Sequence, residues 1–494
     1  MDPFAHTSRL SKQQLQELQN RKLRQFILEQ VYPFSLHYRH LFQQNKIDPK
    51  KIKTIQDLAR IPFTSKADLI PIGQDSERFK DFILHPNKDK IRRCWSIGKV
   101  LRLMASSMVR GPEFALQKIR REYKPIFITF TTGTTAQPVP FVYSGYDIKN
   151  LYTSGARMID LFQLNETERV VNMFPYAPHL AFWQVVFGGL ASDVLILSTG
   201  GGKVMTSEAS VGTLLKMKPS MIIGVPSYVY HVLRIAKEKG CDLSFVKKIA
   251  LGAAKVSDSF KLRLMNLLAA MGAHDVAIFG TYGFTEARCA WGECPAPAGV
   301  SSGYHLYPDK EIFEVIDPKT GEVKGDGEDG ELVYTPIDSR ASTVIRYRTG
   351  DFVKGGITYE PCPYCHRTVP RISSDIIRIS DVQDIKLSKI KGTLVNFNNF
   401  TYVLSDIEAV TEWQIEIRKK DNDPFEVDEL AIYVCVKSGT NCAQLEEEIR
   451  RKISLTTEVS PNAVIFLPIE EIVKRLELET ASKEKRIVDC RPKP

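Results

Sequence analysis

The chain has 494 residues, of which 43% are hydrophobic and 25% charged, a composition ordinary for a globular enzyme. This balance excludes a disordered, collagen-like, coiled-coil or disulfide-stapled protein, and the length predicts two to four folding units. The net charge of +9 is interpreted as spread through the chain, because no dense basic run stands out. It suits a polyanionic small molecule, and we expect no nucleic-acid partner.

The chain termini and cysteines predict a cytoplasmic protein. The N-terminal residues are polar and helical in character, unlike an export signal. No apolar run approaches about 18 residues, so we expect no membrane insertion. The nine cysteines are an odd number and mostly scattered, which is typical of reduced thiols and leaves room for a metal site among them.

The first part of the chain is predicted to be helical and the middle part to alternate. Apolar residues recur three and four positions apart from Leu15 to Val31, and a helical texture continues to about residue 90. From residue 125 to 380, short apolar runs alternate with helical stretches. These runs are Ile126–Phe130, Val170–Phe174, Val194–Leu197, Met221–Val225, Lys248–Leu251 and Val276–Phe279. The alternation predicts βα units, a largely parallel buried sheet and hence an α/β fold.

The last third of the chain predicts a change of architecture. Residues 310–352 are typical of a β-meander, with turns at Lys319–Gly321 and Gly325–Gly327. An α+β pattern then restarts, with a strand at Val427–Val436, a helix at Cys442–Ile453 and a strand at Ala463–Leu467. We therefore predict a large domain over 1–380, helical in 1–120 and α/β in 121–380, and a small α+β domain over 381–494.

Three polar motifs follow predicted strands or turns. Phe130–Pro138 packs four threonines around Gly133, and a loop of small residues lets hydroxyl and N–H groups donate to phosphate oxygens. Tyr282–Glu286 follows an apolar run and is placed at the carboxyl end of a strand, where open α/β sheets bind ligands. Tyr347–Asp351 sets a carboxylate beside a glycine turn. Each motif alone is compatible with a capped turn, but the three in this order are hard to obtain by chance.

With these motifs the sequence resembles the adenylate-forming superfamily of acyl-CoA synthetases, in particular its phenylacetate–CoA ligase and coenzyme F390 synthetase branch. The resemblance covers nearly the whole chain. It starts at Tyr32–Phe34 and at Ile61–Leu69, which is similar to the branch's "PFT-K-DL" element, and it ends with Lys483–Asp489. It implies a large N-terminal ATP- and acyl-binding domain and a small, mobile C-terminal lid, with the active site between them.

The resemblance also implies roles for single residues. Lys483, with Lys485 as its nearest competitor, would be the mobile lysine that bridges the carboxylate and the α-phosphate as charge develops. Glu286 and Thr285 would help hold the α-phosphate and Mg²⁺. The loop 131–135 would hold the β- and γ-phosphates. Residues 252–254 would lie against adenine, and Tyr282 would stack near the base. Asp351 would accept hydrogen bonds from the ribose hydroxyls. The full set implied to bind ATP or AMP is Thr131, Thr132, Gly133, Thr134, Thr135, Gly252, Ala253, Ala254, Tyr282, Gly283, Thr285, Asp351 and Arg378.

The sequence departs from the family's pattern at two places. The phosphate loop ends in Ala136–Val139, where the family has Gly-x-Pro-Lys, so one glycine and one cation are missing. The hinge motif is only half kept at Arg378–Asp381, which favours Asp381 as the hinge residue. Counting back from Gly392 without a gap places the hinge at Ile385 or Lys386 instead.

Cys362-Pro363-Tyr364-Cys365 forms half of a candidate zinc site. A C-x-x-C turn holds two thiolates at tetrahedral spacing, and a structural zinc needs four ligands. The candidates for the other two are Cys289, Cys294, His305 and His366. We favour Cys294 and His305, which flank one loop after Glu286. A redox C-x-x-C and two idle thiols are the alternatives.

An aromatic segment after a predicted strand is a candidate acyl pocket. Tyr176, His179 and Phe182 would suit a flat aromatic acid, although ordinary core packing explains these residues equally well.

The resemblance predicts an AMP-forming ligase with ATP, Mg²⁺ and coenzyme A. A carboxylic acid, in the first instance an aryl acid, would become an acyl-adenylate and then pass to a thiol. The alternatives are transfer to a carrier protein or amine, adenylylation of a hydroxyl as in F390 synthetase, and a non-catalytic nucleotide-binding protein. The expected partners are the acid and coenzyme A, and a homodimer is among the expected assemblies. Glu286, Asp351 and Lys483 are all present, which argues against the non-catalytic alternative.

Overall fold

The structure is a computed structural model that describes most of the chain. The described residues are 4, 7–70, 77–131, 138–176, 178–202, 204–378, 388–390, 393–395, 397–420, 428–457, 459–478 and 484–491. Three groups of predicted residues lie outside them: Thr132–Thr135 of the phosphate loop, the hinge candidates Asp381, Ile385 and Lys386, and Lys483.

The N-terminal part is helical, as predicted. Its longer helices are α1 (Lys12–Phe26), α2 (Leu36–Gln44), α3 (Lys88–Cys94), α4 (Ile97–Arg110) and α5 (Pro112–Tyr123). The Ser11 side chain caps α1 by accepting from Gln14 N, and the Gln14 side chain returns the contact to the Ser11 N–H. Helix α1 buries Leu15, Leu23 and Phe26, of which Leu23 and Phe26 join the main core cluster, so the predicted periodicity marks its inner face.

The first predicted strand is not part of the parallel sheet. Strand β1 (Pro125–Phe130) pairs antiparallel with β2 (Pro140–Ser144) in a two-stranded sheet. The apolar run at Ile126–Phe130 was correctly identified as a strand, but its inclusion among the βα units was wrong. Ile126 and Ile128 are exposed, so one face of this ribbon is not covered as a parallel strand would be.

A six-stranded sheet forms the centre of the fold. Its strands are β3 (Arg169–Asn172), β4 (Leu195–Ser198), β5 (Met221–Gly224), β6 (Lys248–Leu251), β7 (Ala277–Phe284) and β8 (Cys289–Gly292). They lie in the order β4-β3-β5-β6-β7-β8, and every neighbouring pair except β7–β8 is parallel. The intervening helices are α6 (Gly145–Leu161), α7 (Leu180–Ala191), α8 (Ser207–Met217), α9 (Pro226–Glu238) and α10 (Asp258–Ala269). This confirms the predicted α/β core.

Short antiparallel sheets follow the central sheet. Their strands are β9 (Tyr304–His305), β10 (Glu311–Ile316), β11 (Gly330–Pro336), β12 (Tyr347–Val353), β13 (Ile357–Thr358), β14 (Arg371–Ile372) and β15 (Ile376–Arg378). One sheet has the order β10-β11-β12-β15 and the other β13-β14-β9. The predicted meander is confirmed, but Asp351 lies within strand β12 rather than at its end. Gly350, beside it, has φ +71°, which a glycine adopts without strain.

The C-terminal residues form a further α+β layer. Its elements are β16 (Ser388–Ile390), β17 (Thr393–Val395), α11 (Phe397–Asp406), β18 (Val410–Lys419), β19 (Asp428–Val436), α12 (Cys442–Thr457), β20 (Ala463–Phe466), α13 (Ile469–Leu476) and β21 (Ile487–Asp489). The main sheet has the order β20-β19-β18-β21, and one of its core clusters draws only on residues 400–487. Among the described residues, no helix combines the length and apolar character needed to cross a membrane.

Glu311 is a buried carboxyl at the start of β10, and its proton makes stability depend on pH. Its Oε1 accepts from Trp291 Nε1 and Tyr307 N, both at 2.7 Å, while Oε2 has no partner among the described residues. Burial raises the pKa of Glu311 to about 8. Because the unfolded chain has the lower pKa, the folded state binds the extra proton and loses stability as the pH rises from about 4.5 through about 8.

We expect Glu311→Gln to remove that loss, since the amide keeps the acceptor oxygen and cannot ionise. The free energy of unfolding of the wild type should fall by up to about 1.4 kcal/mol per pH unit in this range relative to the variant. Denaturant unfolding at several pH values measures the slope, and exposed Glu322→Gln is the control. Equal slopes for all three proteins would contradict the assignment.

Candidate active site

Three chain segments meet at the end of β1. The carbonyl oxygen of Phe130, just before Thr131, accepts a 3.4 Å hydrogen bond from Thr285 Oγ1 and lies 3.0 Å from His179 Nδ1. Thr131 Oγ1 in turn accepts from Val139 N at 3.0 Å, across the base of the predicted phosphate loop. The structure therefore brings the start of this loop together with Thr285 and His179.

The segment 252–254 follows β6 at the carboxyl end of the parallel sheet. A Cβ on Gly252 would lie 2.2 Å from Thr281 Oγ1, so a larger residue here would displace the Thr281 hydroxyl. Thr281 Oγ1 donates to Leu251 O at 3.0 Å and fixes the two strand ends side by side. Ala253 has φ +66°, a left-handed conformation that costs an alanine free energy and that is typical of ligand-contacting segments.

Tyr282, Asp351 and Arg378 form one hydrogen-bonded group. Tyr282 Oη donates to Asp351 Oδ2 at 2.8 Å, and Arg378 Nε lies 3.1 Å from Asp351 Oδ1. Arg378 Nη1 also donates to Thr349 O at 2.8 Å. Burial and the Asp351 carboxylate raise the pKa of Tyr282, so its phenol stays protonated and able to donate. The structure thus joins three predicted nucleotide residues from β7, β12 and β15.

Glu286 is held by a residue of the third motif. Tyr347 Oη donates to Glu286 Oε1 at 2.7 Å, and burial together with this carboxylate raises the pKa of Tyr347. Tyr347 is 3% exposed, so its ring is a rigid support. Tyr347 belongs to the third predicted motif, but no role was predicted for it. The contact could not be read from the sequence because 61 residues separate the two partners.

The motif Tyr282–Glu286 does not lie wholly beyond its strand. Strand β7 continues to Phe284 and turns back into β8, with Tyr282 opposite Trp291 and Gly283 opposite Ala290. The prediction that the strand ends at Phe279 was wrong, because pairing with the antiparallel β8 extends it to Phe284. Only Thr285 and Glu286 lie past its end.

The predicted acyl residues lie around α7. His179 precedes α7, and the Phe182 ring packs edge-on against Tyr176 at 5.2 Å. Phe182 is buried, whereas Tyr176 is 59% exposed. His179 is the member of this group that reaches the Phe130 carbonyl and thus the start of the phosphate loop.

Cys294, His305, Cys362 and Cys365 form a compact cluster. Their ligand atoms all lie within 4.8 Å of one another. Cys294 Sγ lies 3.6 Å from Cys362 Sγ, and Cys365 Sγ lies 3.2 Å from His305 Nε2. Bonds of about 2.3 Å to sulfur in a tetrahedral zinc site place two sulfurs about 3.8 Å apart, so the donor set fits this ion. Hydrogen bonds from Cys294 and Cys365 lower the pKa of Cys362, which favours a thiolate there.

Backbone pairing explains how the distant ligands meet. His305 lies on β9, whose pairing with β14 places it opposite Arg371, six residues beyond Cys365. The His366 and Cys289 alternatives are not in the cluster that the structure forms from its described residues.

Glu293 connects this cluster to the nucleotide motif, and sequence reasoning missed it. It precedes Cys294, and its carboxylate accepts from Gly280 N of β7 and from Ser301 Oγ. Lys261 Nζ lies 2.9 Å from Glu293 Oε2, and both side chains are under 5% exposed. One carboxylate thus ties a cluster loop to the strand that carries Tyr282. The available signal was an acidic residue in an otherwise apolar stretch from Cys289 to Pro295.

Comparison with known protein families matches residues 34–336 to the AMP-binding enzyme family. The match covers more than half of the chain. The chain belongs to this family. The resemblance predicted from the motifs is thereby confirmed. The candidate nucleotide residues of this AMP-binding enzyme include Tyr282, which contacts Asp351, and Thr285, which contacts the carbonyl oxygen of Phe130.

Relatives and solved structures agree with this assignment over nearly the full chain. The chain is 25% identical over 489 residues to a phenylacetate-coenzyme A ligase of Aromatoleum evansii, covering 98% of this chain and 96% of the relative. It is also 25% identical over 414 residues to a phenylacetate-coenzyme A ligase of Thermus thermophilus, covering 83% and 80%. A 2-hydroxyisobutyryl-CoA ligase in the postadenylation state superposes with TM-score 0.72 at 18% identity, covering 98% and 91%. This last likeness confirms the fold.

We expect Asp351→Ala to weaken ATP binding by about 1.5–3 kcal/mol, because a charged acceptor is lost. The exposed Asp375, whose Oδ1 lies 2.6 Å from Lys255 Nζ, offers the matched control Asp375→Ala. Calorimetric titration with ATP measures both variants. If Asp351→Ala binds ATP as tightly as Asp375→Ala does, Asp351 has only a structural role in β12 and does not bind the nucleotide.

Proposed function

We propose that this AMP-binding enzyme is an AMP-forming acid–thiol ligase that activates a carboxylic acid with ATP and transfers the acyl group to coenzyme A. The observation that carries the proposal is the Tyr282–Asp351–Arg378 group, which includes a residue of the strand whose Thr281 contacts Gly252. The names of the relatives, phenylacetate-coenzyme A ligases, support an aryl acid as substrate.

In the first half-reaction, a carboxylate oxygen attacks the α-phosphorus and pyrophosphate leaves. Asp351 would hold the ribose hydroxyls, and the backbone of 252–254 would lie against the base. Thr285 and the loop beginning at Thr131 would donate to phosphate oxygens. Negative charge grows on the α-phosphate as the bond forms, and Lys483 would neutralise it.

Mg²⁺ fits this site because Glu286 and Thr285 offer the oxygen ligands that the ion prefers. It would neutralise phosphate charge when bound. Tyr347 keeps the Glu286 carboxylate oriented by donating to Oε1, which leaves Oε2 for the ion.

In the second half-reaction, the thiolate of coenzyme A attacks the acyl carbon and AMP leaves. Tyr176, His179 and Phe182 would line the acyl site, with His179 next to the phosphate loop. We further propose that residues 381–494 act as a lid that moves between the half-reactions, with a hinge at Asp381.

Pyrophosphate release tests the proposal and separates the other acceptors. A panel of aryl and alkyl acids is offered with ATP, first without and then with coenzyme A. We expect acid-dependent pyrophosphate release and, with coenzyme A, a thioester and AMP. Pyrophosphate release that needs a hydroxyl acceptor and no acid identifies hydroxyl adenylylation. A stable acyl-adenylate that coenzyme A does not consume indicates that the acceptor is a carrier protein or an amine. The absence of turnover with every acid indicates a non-catalytic protein.

We also propose that the Cys294–His305–Cys362–Cys365 cluster binds one structural Zn²⁺. Four protein ligands leave no open position on a tetrahedral ion, so the metal would support the loops and take no part in the reaction. A reducing compartment such as the cytoplasm suits this site, because all nine cysteines are free thiols.

A further inference from the structure

The segment from Lys90 to Lys124, which runs from the end of α3 through the hairpin of α4 and α5, carries a net charge close to that of the whole protein. Residues 90–124 contain ten Lys or Arg and two Asp or Glu, a net charge of +8 within the +9 of the chain. Both acids are paired, Glu113 with Arg120 at 4.0 Å and Glu122 with Arg340 at 2.6 Å. The interpretation that the charge is spread through the chain was therefore wrong, because the cations are interleaved with apolar residues rather than consecutive.

Helix α4 turns an apolar stripe outward. Its inner side is defined by Leu103, which packs in the cluster around Phe34 and Tyr123, and by Lys99, whose Nζ lies 2.5 Å from Glu29 Oε2. Ile97, Leu101, Met104 and Met108, spaced by four, three and four residues, share the opposite side and are 79%, 59%, 54% and 87% exposed. No residue of α4 is buried. An apolar stripe this exposed is typical of a surface that binds another molecule.

We propose that the α4–α5 hairpin docks the enzyme on an anionic lipid surface. The stripe would enter the boundary between headgroups and acyl chains, while exposed cations of the same segment, such as Arg92 and Arg93 of α3 and Arg102 of α4, would contact lipid phosphates and carboxylates. A nucleic acid or an acidic peptide would satisfy the cations but would leave the stripe in water. A symmetric contact with a second copy would bring two segments of charge +8 together and is disfavoured by repulsion.

Vesicle sedimentation tests this docking with the full chain. We expect binding to vesicles of equal parts phosphatidylcholine and phosphatidylserine, little binding to pure phosphatidylcholine, and loss of binding on adding salt. Reversing three cations in Arg92→Glu/Arg93→Glu/Arg102→Glu should lower partitioning by more than about 100-fold, since the loss of each cation near such a surface accounts for about five-fold and each new carboxylate adds repulsion. The control Lys216→Glu/Lys237→Glu/Lys239→Glu makes the same change of net charge at exposed positions elsewhere. Its binding to the vesicles should fall far less than that of the arginine variant.

The apolar stripe is tested without changing charge. Leu101→Ser/Met108→Ser should lose about ten-fold or more in binding. The control Leu262→Ser/Leu455→Ser alters leucines that are 46% and 74% exposed on other helices and should bind like the wild type. Thermal melting shows that each variant folds, and activity measured without vesicles should be unchanged in all of them. That readout keeps failure of docking distinct from failure of the proposed reaction.

Three results overturn the proposal. The first is equal binding to neutral and anionic vesicles. The second is wild-type binding by both hairpin variants. The third is the absence of binding to anionic vesicles. A dimer that Leu101→Ser/Met108→Ser converts to a monomer would then assign the stripe to a second copy, and tight binding of short duplex DNA would assign the cations to a nucleic acid.

Discussion

Replacement of Lys483 by alanine is expected to abolish carboxylate-dependent ATP–pyrophosphate exchange while ATP binding and folding stay nearly unchanged. A lysine that meets the substrate only as negative charge develops lowers the barrier without tightening ground-state binding. The variant should therefore lose rate rather than ATP affinity. Exchange that stays within about threefold of the wild type, roughly 0.7 kcal/mol, excludes this role for Lys483.

The matched control is Lys485→Ala, two residues further along. Lys485 Nζ lies 2.6 Å from Glu477 Oε1 in an exposed pair, which contributes about 0–1 kcal/mol to stability. Its backbone is anchored, because Lys485 N donates to Leu476 O at 3.0 Å and Gln414 Nε2 donates to Lys485 O at 2.7 Å. Lys485→Ala should thus remove a cation only two residues away in the sequence and leave exchange intact. The reverse pattern would assign the role to Lys485.

The parallel sheet was predictable because each of its strands is a separate apolar run. Runs such as Met221–Gly224 and Lys248–Leu251 are buried on both faces, and continuous burial leaves an uninterrupted apolar segment in the sequence. Pairing was less predictable. Strand β1 has the same apolar texture, yet it joins β2 across a loop, and the antiparallel β8 carries β7 three residues past Thr281. Which partner a strand meets is decided by tertiary packing, which its own residues do not encode.

The candidate site, like the sheets, has some parts that the sequence predicts and others that depend on tertiary packing. The polar motifs and the C-x-x-C turn are visible because their residues are close in sequence. The role of Glu293 was not predictable, because its partners Lys261 and Gly280 lie 32 and 13 residues away in the sequence. The charge of residues 90–124 was not predictable for a different reason. Its cations are spaced along α3, α4 and α5 and form no long consecutive run in the sequence.

The metal cluster gives the largest expected effect on stability. Removing one ligand, in Cys362→Ser, leaves two buried ligands and the half-buried Cys365 around an incomplete site, and it frees two loops that bury few apolar residues of their own. We expect the free energy of unfolding to fall by several kcal/mol, on the scale of structural zinc sites. Chelator-treated wild type should melt earlier, and Cys362→Ser should melt at a similar temperature with little further response to chelator. The exposed single thiol of Cys442 provides the control Cys442→Ser.

Nucleotide affinity should fall together with stability, because two residues adjoin both sites. Tyr304, beside His305, packs on Tyr282 with ring centroids 5.8 Å apart, and Glu293, beside Cys294, binds the N–H of Gly280. Glu293→Gln separates the two effects: it should keep about one zinc per chain and still weaken ATP binding, because the amide no longer balances the charge of Lys261. Retention of full ATP affinity in this variant would place the cluster outside the nucleotide site.

Elemental analysis decides between zinc and the other interpretations of the cysteines. Freshly purified protein should contain about one zinc per chain, and the double variant Cys362→Ser/Cys365→Ser should contain none. A redox pair would instead change with thiol oxidants and be indifferent to chelators, since its chemistry needs only two sulfurs. The 3.6 Å between Cys294 Sγ and Cys362 Sγ and the approach of His305 Nε2 to Cys365 favour four ligands around one ion. Metal-free protein with full stability and full ATP affinity would leave these cysteines as idle thiols.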